Sequence, residues 1–373
     1  VFPMIVASAV WLPLILAMVE RVVRRAEEGP SSPVSYLPAL AVGAGALGMV
    51  LLAGHPEMYY YVALCTSAYA LYRLAGLARR SRSWRRTGGV AAALMAMAAV
   101  GLGLGAAQWL PLLDLVRHNF REGSASFAEV LGWAYPPRHV LALLMPDFFG
   151  NPSHHAYLDL FTGLRTPVTA NALGQPIDTI TWGIKNYVEG ACYVGILPLL
   201  LAAGAILGRA GRHKWFFAGL GALSLAFAFG SRLYWVVFQL PGLNQVHSPF
   251  RWVFPYSLCV GILAAMGVDA LWRRGAPDGA RWRRWAAWLA ERALPVMALG
   301  GGGALLVALG ASLLVKERVA ALAERALQAL ARAPEAFADG RMFYSYEFRN
   351  LLILGLALLA AGLLLALRHR FRR

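Results

Sequence analysis

The sequence predicts an all-α fold, a polytopic bundle of transmembrane helices. Three observations predict it. Hydrophobic runs of about twenty residues recur along the whole chain, and a run of that length spans the hydrocarbon core as a helix. Hydrophobic residues make up 59% of the 373 positions, and the mean hydropathy of +0.54 excludes an ordinary soluble domain. Arginines collect at every second boundary between runs, the asymmetry expected of short cytoplasmic loops. The runs and the arginines are different residues, so their agreement is a test.

Nine spans follow in order: Val1 to Val19, Tyr36 to Ala53, Met58 to Leu77, Gly88 to Trp109, Ala191 to Leu207, Trp215 to Gly230, Trp252 to Leu271, Ala293 to Val315 and Leu351 to Leu367. One side of this array holds Arg21, Arg24 and Arg25, then the Arg79–Arg86 cluster, then Arg209, Arg212 and Lys214, then Arg273 to Arg284, and last Arg368 to Arg373. The other side holds the short Gly54 to Glu57 turn and the loops 108–190, 231–251 and 316–350, where cations are sparse. The arginine-rich turns are therefore expected in the cytoplasm and the long loops outside. The reading is of a single integral membrane domain over residues 1–373. Residues 108–190 form a large extracytoplasmic loop with interfacial helices, and residues 316–350 an extracytoplasmic amphipathic segment. In that segment Val319, Leu322, Ala326 and Leu330 fall on one stripe.

The formal charge of +16 does not imply nucleic acid. The excess sits in turns, where it faces anionic headgroups and fixes topology. Cys65, Cys192 and Cys259 lie in or beside spans without CxxC spacing, so they read as small packing residues. Gly43 to Gly48 matches G-x-G-x-x-G but lies inside a span, and with Gly101 to Gly105 and Gly300 to Gly303 it predicts close helix packing. The chain starts at Val1 within a hydrophobic run and reads as a fragment of a longer protein.

Polar residues beside membrane spans are where function is sought. The Gly54-His55-Pro56-Glu57 turn sets His55 and Glu57 at the membrane surface, Glu57 near a helix N-terminus; it reads equally as a capped turn. Gln108, Pro111 and Asp114 close the fourth span, with Arg117 placed to pair with Asp114. The run from Pro136 to Gly150, with Arg138 and His139, suits an interfacial helix. Glu189 and Tyr193 open the fifth span, Glu189 again at a helix N-terminus. His247 and Arg251 precede the seventh. Arg251 is placed to fork onto phosphate oxygens or to snorkel to the interface. Tyr344, Tyr346, Glu347 and Arg349 lead into the last span.

In order along the chain these blocks resemble a known family. Trp11-Leu12-Pro13, Gly54-His55-Pro56-Glu57, Gln108 with Pro111, and Pro146-Asp147-Phe148-Phe149-Gly150 carry the likeness first. Glu189, Tyr193, Gly195 and Pro198 continue it, then Leu240-Pro241-Gly242 with Pro249 and Arg251, then Gly267-Val268-Asp269-Ala270-Leu271. The chain resembles the YfhO-type bacterial membrane proteins of the GT-C glycosyltransferase superfamily. The resemblance runs from Val1 to Leu271; beyond that only hydrophobic spans stand out.

The resemblance implies a GT-C-like enzyme of the bacterial plasma membrane. Such an enzyme moves a sugar from a polyprenyl-phosphate donor to a cell-envelope glycan or glycolipid acceptor on the outer face. The catalytic base of such enzymes is an acid in the first outer loop, expected upstream of Val1. Glu57, Asp114 and Glu189 are then candidates for supporting roles. His55, Gln108, Arg138, Tyr193, His247 and Arg251 are candidates for holding phosphate or lipid, Arg251 foremost. Its replacement by Ala is expected to abolish transfer with the protein level intact. No cofactor is evident. A divalent cation is compatible with the chemistry, but no ligand set for one stands out. Two other classes stay open. A transporter or flippase would carry ionisable residues near the bilayer midplane, and a non-catalytic scaffold would lack a working site.

Overall fold

The computed structural model describes residues 3–29, 32–117, 125–208, 210–240, 248–272 and 288–368. The helices are α1 (Pro3–Ala9), α2 (Leu12–Glu27), α3 (Leu37–Leu52), α4 (Pro56–Ser81), α5 (Trp84–Leu104), α6 (Ala106–Arg117), α7 (Phe127–Gly132), α8 (Ile196–Leu207), α9 (Lys214–Ala228), α10 (Trp235–Phe238), α11 (Val253–Trp272), α12 (Leu294–Leu314), α13 (Lys316–Ala329) and α14 (Gly340–Leu367). Four strands of two or three residues make two antiparallel pairs. The fold is all-α with this small addition. Two compact units divide it: Val1–Ala134 with Gly230–Pro255, and Tyr135–Phe229 with Tyr256–Arg373.

Six stretches among the described residues are long and apolar enough to cross a membrane: Pro3–Glu27, Val34–Leu52, Trp84–Leu104, Pro249–Leu271, Glu291–Leu314 and Gly340–Leu367. A seventh is added if the bent pair Lys214–Ala228 and Arg232–Phe238 is one span. This is a multi-pass membrane protein, with fewer apolar crossings than the nine expected. The shortfall has two physical causes. α4 has 26 residues, about 39 Å of helix, but carries Glu57, Arg73, Arg79 and Arg80. The run from Ala191 is helical only from Ile196 and has 12 residues, about 18 Å against a hydrocarbon core of about 30 Å.

In the first unit α2 packs on α3 and α4, and α3 on α5. Small residues set the α3–α5 spacing. A β-carbon on Gly48 would lie 2.9 Å from Leu104 Cβ, and one on Gly101 would lie 2.6 Å from Leu47 Cβ. Gly45 and Gly103 face open space, so only part of each glycine run serves packing. α5 starts at Ser83, whose hydroxyl accepts from Arg86 N at 3.3 Å.

In the second unit α12 packs closely on α14, where a β-carbon on Gly302 would lie 2.9 Å from Gly355 O. Asp339 caps α14 through Met342 N at 2.8 Å. α14 starts eleven residues before the predicted span (340 against 351), so Tyr344, Tyr346, Glu347 and Arg349 sit on the helix itself.

Residues 137–182 and 327–346 share one aromatic-rich core, with Phe149, Ile180, Trp182, Leu327, Phe337 and Phe343 at its centre. The predicted interfacial helix after Pro136 is a 3-10 turn, Pro137–Leu143, that leads into this core. β1 (Gly150–Asn151) pairs with β4 (Ile180–Thr181), and β2 (Ala156–Leu158) with β3 (Arg165–Pro167). Gly150 has φ +82, and a side chain there would strike the Ile180 backbone.

α13 buries one face within the protein. Ala320, Ala323, Leu327 and Leu330 pack inward, while Leu322 and Ala326 are exposed. Gly340 abuts α13 at Ala320 and Glu324 on that face. A β-carbon on Gly340 would lie 2.5 Å from Ala320 O, a gap that larger residues on that face would hold open.

Candidate functional site

The most developed site in the first unit begins at the turn between α3 and α4. Gly54, at φ +80, reverses the chain. His55 caps α4, its Nδ1 accepting from Met58 N at 3.3 Å, and Pro56 follows in the first turn. Glu57 lies in that first turn and is buried. Its Oε1 accepts from the Tyr61 hydroxyl at 2.5 Å, and its Oε2 pairs with Arg251 Nη1. Arg251 sits in a 3-10 turn, Pro249–Trp252, just ahead of α11. The Tyr61 ring packs on Trp252 at 4.9 Å, and its hydroxyl lies 3.3 Å from Ser248 O. The turn is thus both a helix cap and a buried ion pair. A buried carboxylate costs several kcal/mol unless it is paired and hydrogen-bonded, and both conditions are met here.

Gln108, at the start of α6, adjoins this turn: a β-carbon on Gly54 would lie 3.3 Å from its Nε2. Asp114 is exposed on α6. Its expected partner Arg117 has its side chain outside the described set, and His247 lies outside the described residues.

Beside the turn an apolar cavity of about 730 Å³ runs between α2, α3, α4, α5 and α6. Along α4 its lining extends from Pro56 to Leu74, about 27 Å at 1.5 Å per residue. Tyr59, Tyr60 and Trp109 line it, with Ala63, Met95 and Leu113. Thr66 Oγ1 is a buried polar atom in this wall with no hydrogen-bond partner among the described residues.

Farther along α4 lies a buried charge cluster that the sequence reading passed over. The Arg73 side chain is 2% exposed. Its guanidinium donates to Glu20 at 2.5 Å and to Glu27 at 3.2 Å, both on α2, and Tyr69 donates to Glu20 at 2.8 Å. Arg73 falls inside the run Met58 to Leu77 read as a span, so the signal was an arginine in a hydrophobic stretch.

The second unit holds its own polar network. Asp147 Oδ1 accepts from the Tyr187 hydroxyl at 2.5 Å and from Asn151 Nδ2 at 3.0 Å. His154 Nδ1 lies 2.8 Å from the Tyr346 hydroxyl, and its Nε2 lies 3.9 Å from Asp147 Oδ2 and 3.3 Å from Arg349. Asn350 donates to Asp147 O and to Glu347 Oε2, whereas the buried Glu347 Oε1 has no hydrogen-bond partner among the described residues. Burial pushes the His154 pKa down, more than the Asp147 carboxylate raises it, while burial and the hydrogen bond to Asp147 push Tyr187 up. At neutral pH His154 is thus neutral and Tyr187 keeps its proton.

Of the remaining predicted residues, Arg138 stacks over the Phe149 and Trp182 rings and donates to Ala331 O at 2.6 Å. It braces the aromatic core. Glu189 belongs to an Asn186-centred turn seven residues before α8, where Asn186 Oδ1 accepts from Glu189 N at 3.3 Å. It has no helix N-terminus beside it, because the helix waits for Gly195. Tyr193 lines a small cavity of about 70 Å³ with His139, Lys185 and Tyr187. His139 is sandwiched between Tyr135 and Phe149, the latter ring 4.2 Å away, and its Nδ1 has no hydrogen-bond partner among the described residues.

Glu57 and Arg251 therefore meet, with Gln108 adjoining. Asp114 is exposed on α6, and Glu189 belongs to the second unit. Among the described residues no group of three or more His, Cys, Asp or Glu is placed to hold a metal ion. Comparison with protein-family models, with curated proteins and with solved structures returns no match for the chain.

Proposed function

We propose that the protein is a membrane-embedded glycosyltransferase of the GT-C type, akin to the YfhO proteins. It moves a sugar from a polyprenyl-phosphate donor to a cell-envelope glycan or glycolipid on the outer face of the bacterial plasma membrane. One observation carries the reading: a long apolar cavity adjoins, at Pro56, the turn that holds the Glu57–Arg251 pair. A lipid-linked donor needs both environments, a dry channel for its tail and a fixed cation for its phosphate.

In the reaction an acceptor hydroxyl oxygen attacks the anomeric carbon and gives its proton to a base. The bond from that carbon to the phosphate oxygen breaks, and the electron pair leaves with the phosphate. Arg251 stabilises that departing charge. Glu57 and Tyr61 hold its guanidinium in place. In this reading α4, α8 together with the non-helical residues 191–195 ahead of it, and the bent pair around Gly230 complete nine crossings. The arginine-rich turns then face the cytoplasm, and residues 108–190 face outward.

The test is transfer of labelled sugar from polyprenyl phosphate in proteoliposomes. Ala63→Phe, which fills the cavity, should raise KM about tenfold for a long-chain donor and leave a short-chain donor unchanged. Arg251→Lys keeps the charge beside Glu57 but loses the fork, and should lower kcat. Wild-type protein inert toward every such donor, or an Ala63→Phe variant indifferent to chain length, sinks the proposal. The Glu20–Arg73–Glu27 cluster, with its arginine buried, favours a second reading, translocation of a lipid-linked substrate. Lipid scrambling by wild-type proteoliposomes, lost in Arg73→Met, would select it.

A further inference from the structure

Another cavity, of about 470 Å³, lies where α2 leaves its apolar stretch and the chain returns into α3. Its wall carries Arg21, Arg24, Arg25 and Glu28 from α2, and Ser35 and Tyr36 from the 3-10 turn ahead of α3. Val22, Pro38 and Ala39 supply an apolar floor.

The acids of α2 are sorted by face, and that sorting sets the charge. Glu20 and Glu27 point to Arg73 and are taken up by it at 2.5 and 3.2 Å. Only Glu28 faces the cavity, 3.9 Å from Arg24 and 3.4 Å from Arg25. Arg21 has no hydrogen bond or ion pair among the described residues. Three guanidiniums against one carboxylate leave the cavity with a net charge of +2 (3 − 1). Val34 and Leu37, beside the cavity, are 67% and 56% exposed, as residues turned toward acyl chains would be.

From this juxtaposition we infer that the Arg21–Arg24–Arg25 cavity is a binding site for the phosphate of an anionic phospholipid headgroup. Guanidiniums fork onto phosphate oxygens, Ser35 Oγ, which donates to Ser32 O at 2.7 Å, keeps lone pairs to accept from the glycerol, and the apolar floor meets the first methylenes. A basic pocket between membrane helices is the physical form of such sites. The site is independent of the glycosyl-transfer reading and uses none of its residues.

The test is native mass spectrometry of the detergent-purified full chain, titrated with phosphatidylglycerol or phosphatidylcholine. Wild type should hold phosphatidylglycerol about tenfold more tightly. The triple variant Arg21→Gln, Arg24→Gln, Arg25→Gln should lose that preference. The matched triple Arg79→Gln, Arg82→Gln, Arg85→Gln, at another arginine turn, should keep it. Glu28→Gln, which removes the competing carboxylate, should tighten phosphatidylglycerol severalfold, and this variant tests the site even where the triple misfolds. Equal binding of the two lipids by wild type, equal loss in both triples, or no gain in Glu28→Gln overturns the inference. Displacement of the lipid by millimolar glycerol phosphate also overturns it, in favour of a soluble phosphate ligand.

Discussion

Arg251→Ala is the most exacting test of the Glu57 turn, because the arginine neutralises a carboxylate that has little water. The Glu57 side chain is 11% exposed and that of Arg251 17%. Removing one member of a buried pair costs about 3–5 kcal/mol, against about 0–1 kcal/mol for an exposed pair. Tyr61 still donates to Glu57 at 2.5 Å, and a hydrogen bond to a charged group keeps part of the compensation. The expected loss is therefore at the low end, about 3 kcal/mol. Arg251→Ala should then lower protein yield and melting temperature as well as activity, contrary to the sequence expectation that the protein level holds. Glu57→Gln with Arg251→Met removes both charges and should return to within about 1 kcal/mol of wild type. Tryptophan-fluorescence melts in detergent measure all three proteins. A single variant that melts with wild type, or a double variant as labile as the single, would refute the reasoning.

Three further outcomes are expected. Gly302→Leu should destabilise the α12–α14 contact by several kcal/mol, since its β-carbon meets backbone at 2.9 Å, while Gly301→Leu in open space should be neutral; equal melts for the two would remove the packing argument. His139 has its pKa pushed down to about 4 from an ordinary 6.5, by burial first and then by Arg138 and Lys185. The unfolded chain therefore takes up the proton first as pH falls below 6.5, and stability present above that value is lost on descending through 4. His139→Phe keeps the stack on Phe149, so its melting temperature should fall less than that of wild type between pH 7 and pH 4, and parallel curves would count against the shift. Tyr187→Phe should cost about 1–2 kcal/mol by leaving Asp147 one donor short; an unchanged melt would mean that Asn151 alone satisfies the carboxylate.

The helical class and the helix start at the Gly54 turn could be read in the sequence because each rests on neighbours in the chain. His55, Pro56 and Glu57 announce a helix start by type and order alone. The ion pair of Glu57 could not be read, since Arg251 lies 194 residues away. The same holds for the second-unit network, where Asn350 reaches Asp147 across 203 residues and Tyr346 reaches His154 across 192. The strands escaped because two or three residues carry no periodicity. Arg73 was legible and should have stood out in a stretch of Leu and Ala.

The aromatic core of the second unit has a consequence for biogenesis. Phe149 and Trp182 are synthesised well before Leu327, Phe337 and Phe343, which cover them. Until then the earlier half of this core must wait uncovered on its side of the bilayer, sticky and open to proteases. A ribosome that stalls before Phe337 would release a chain with its Trp182 still uncovered, a natural target for quality control.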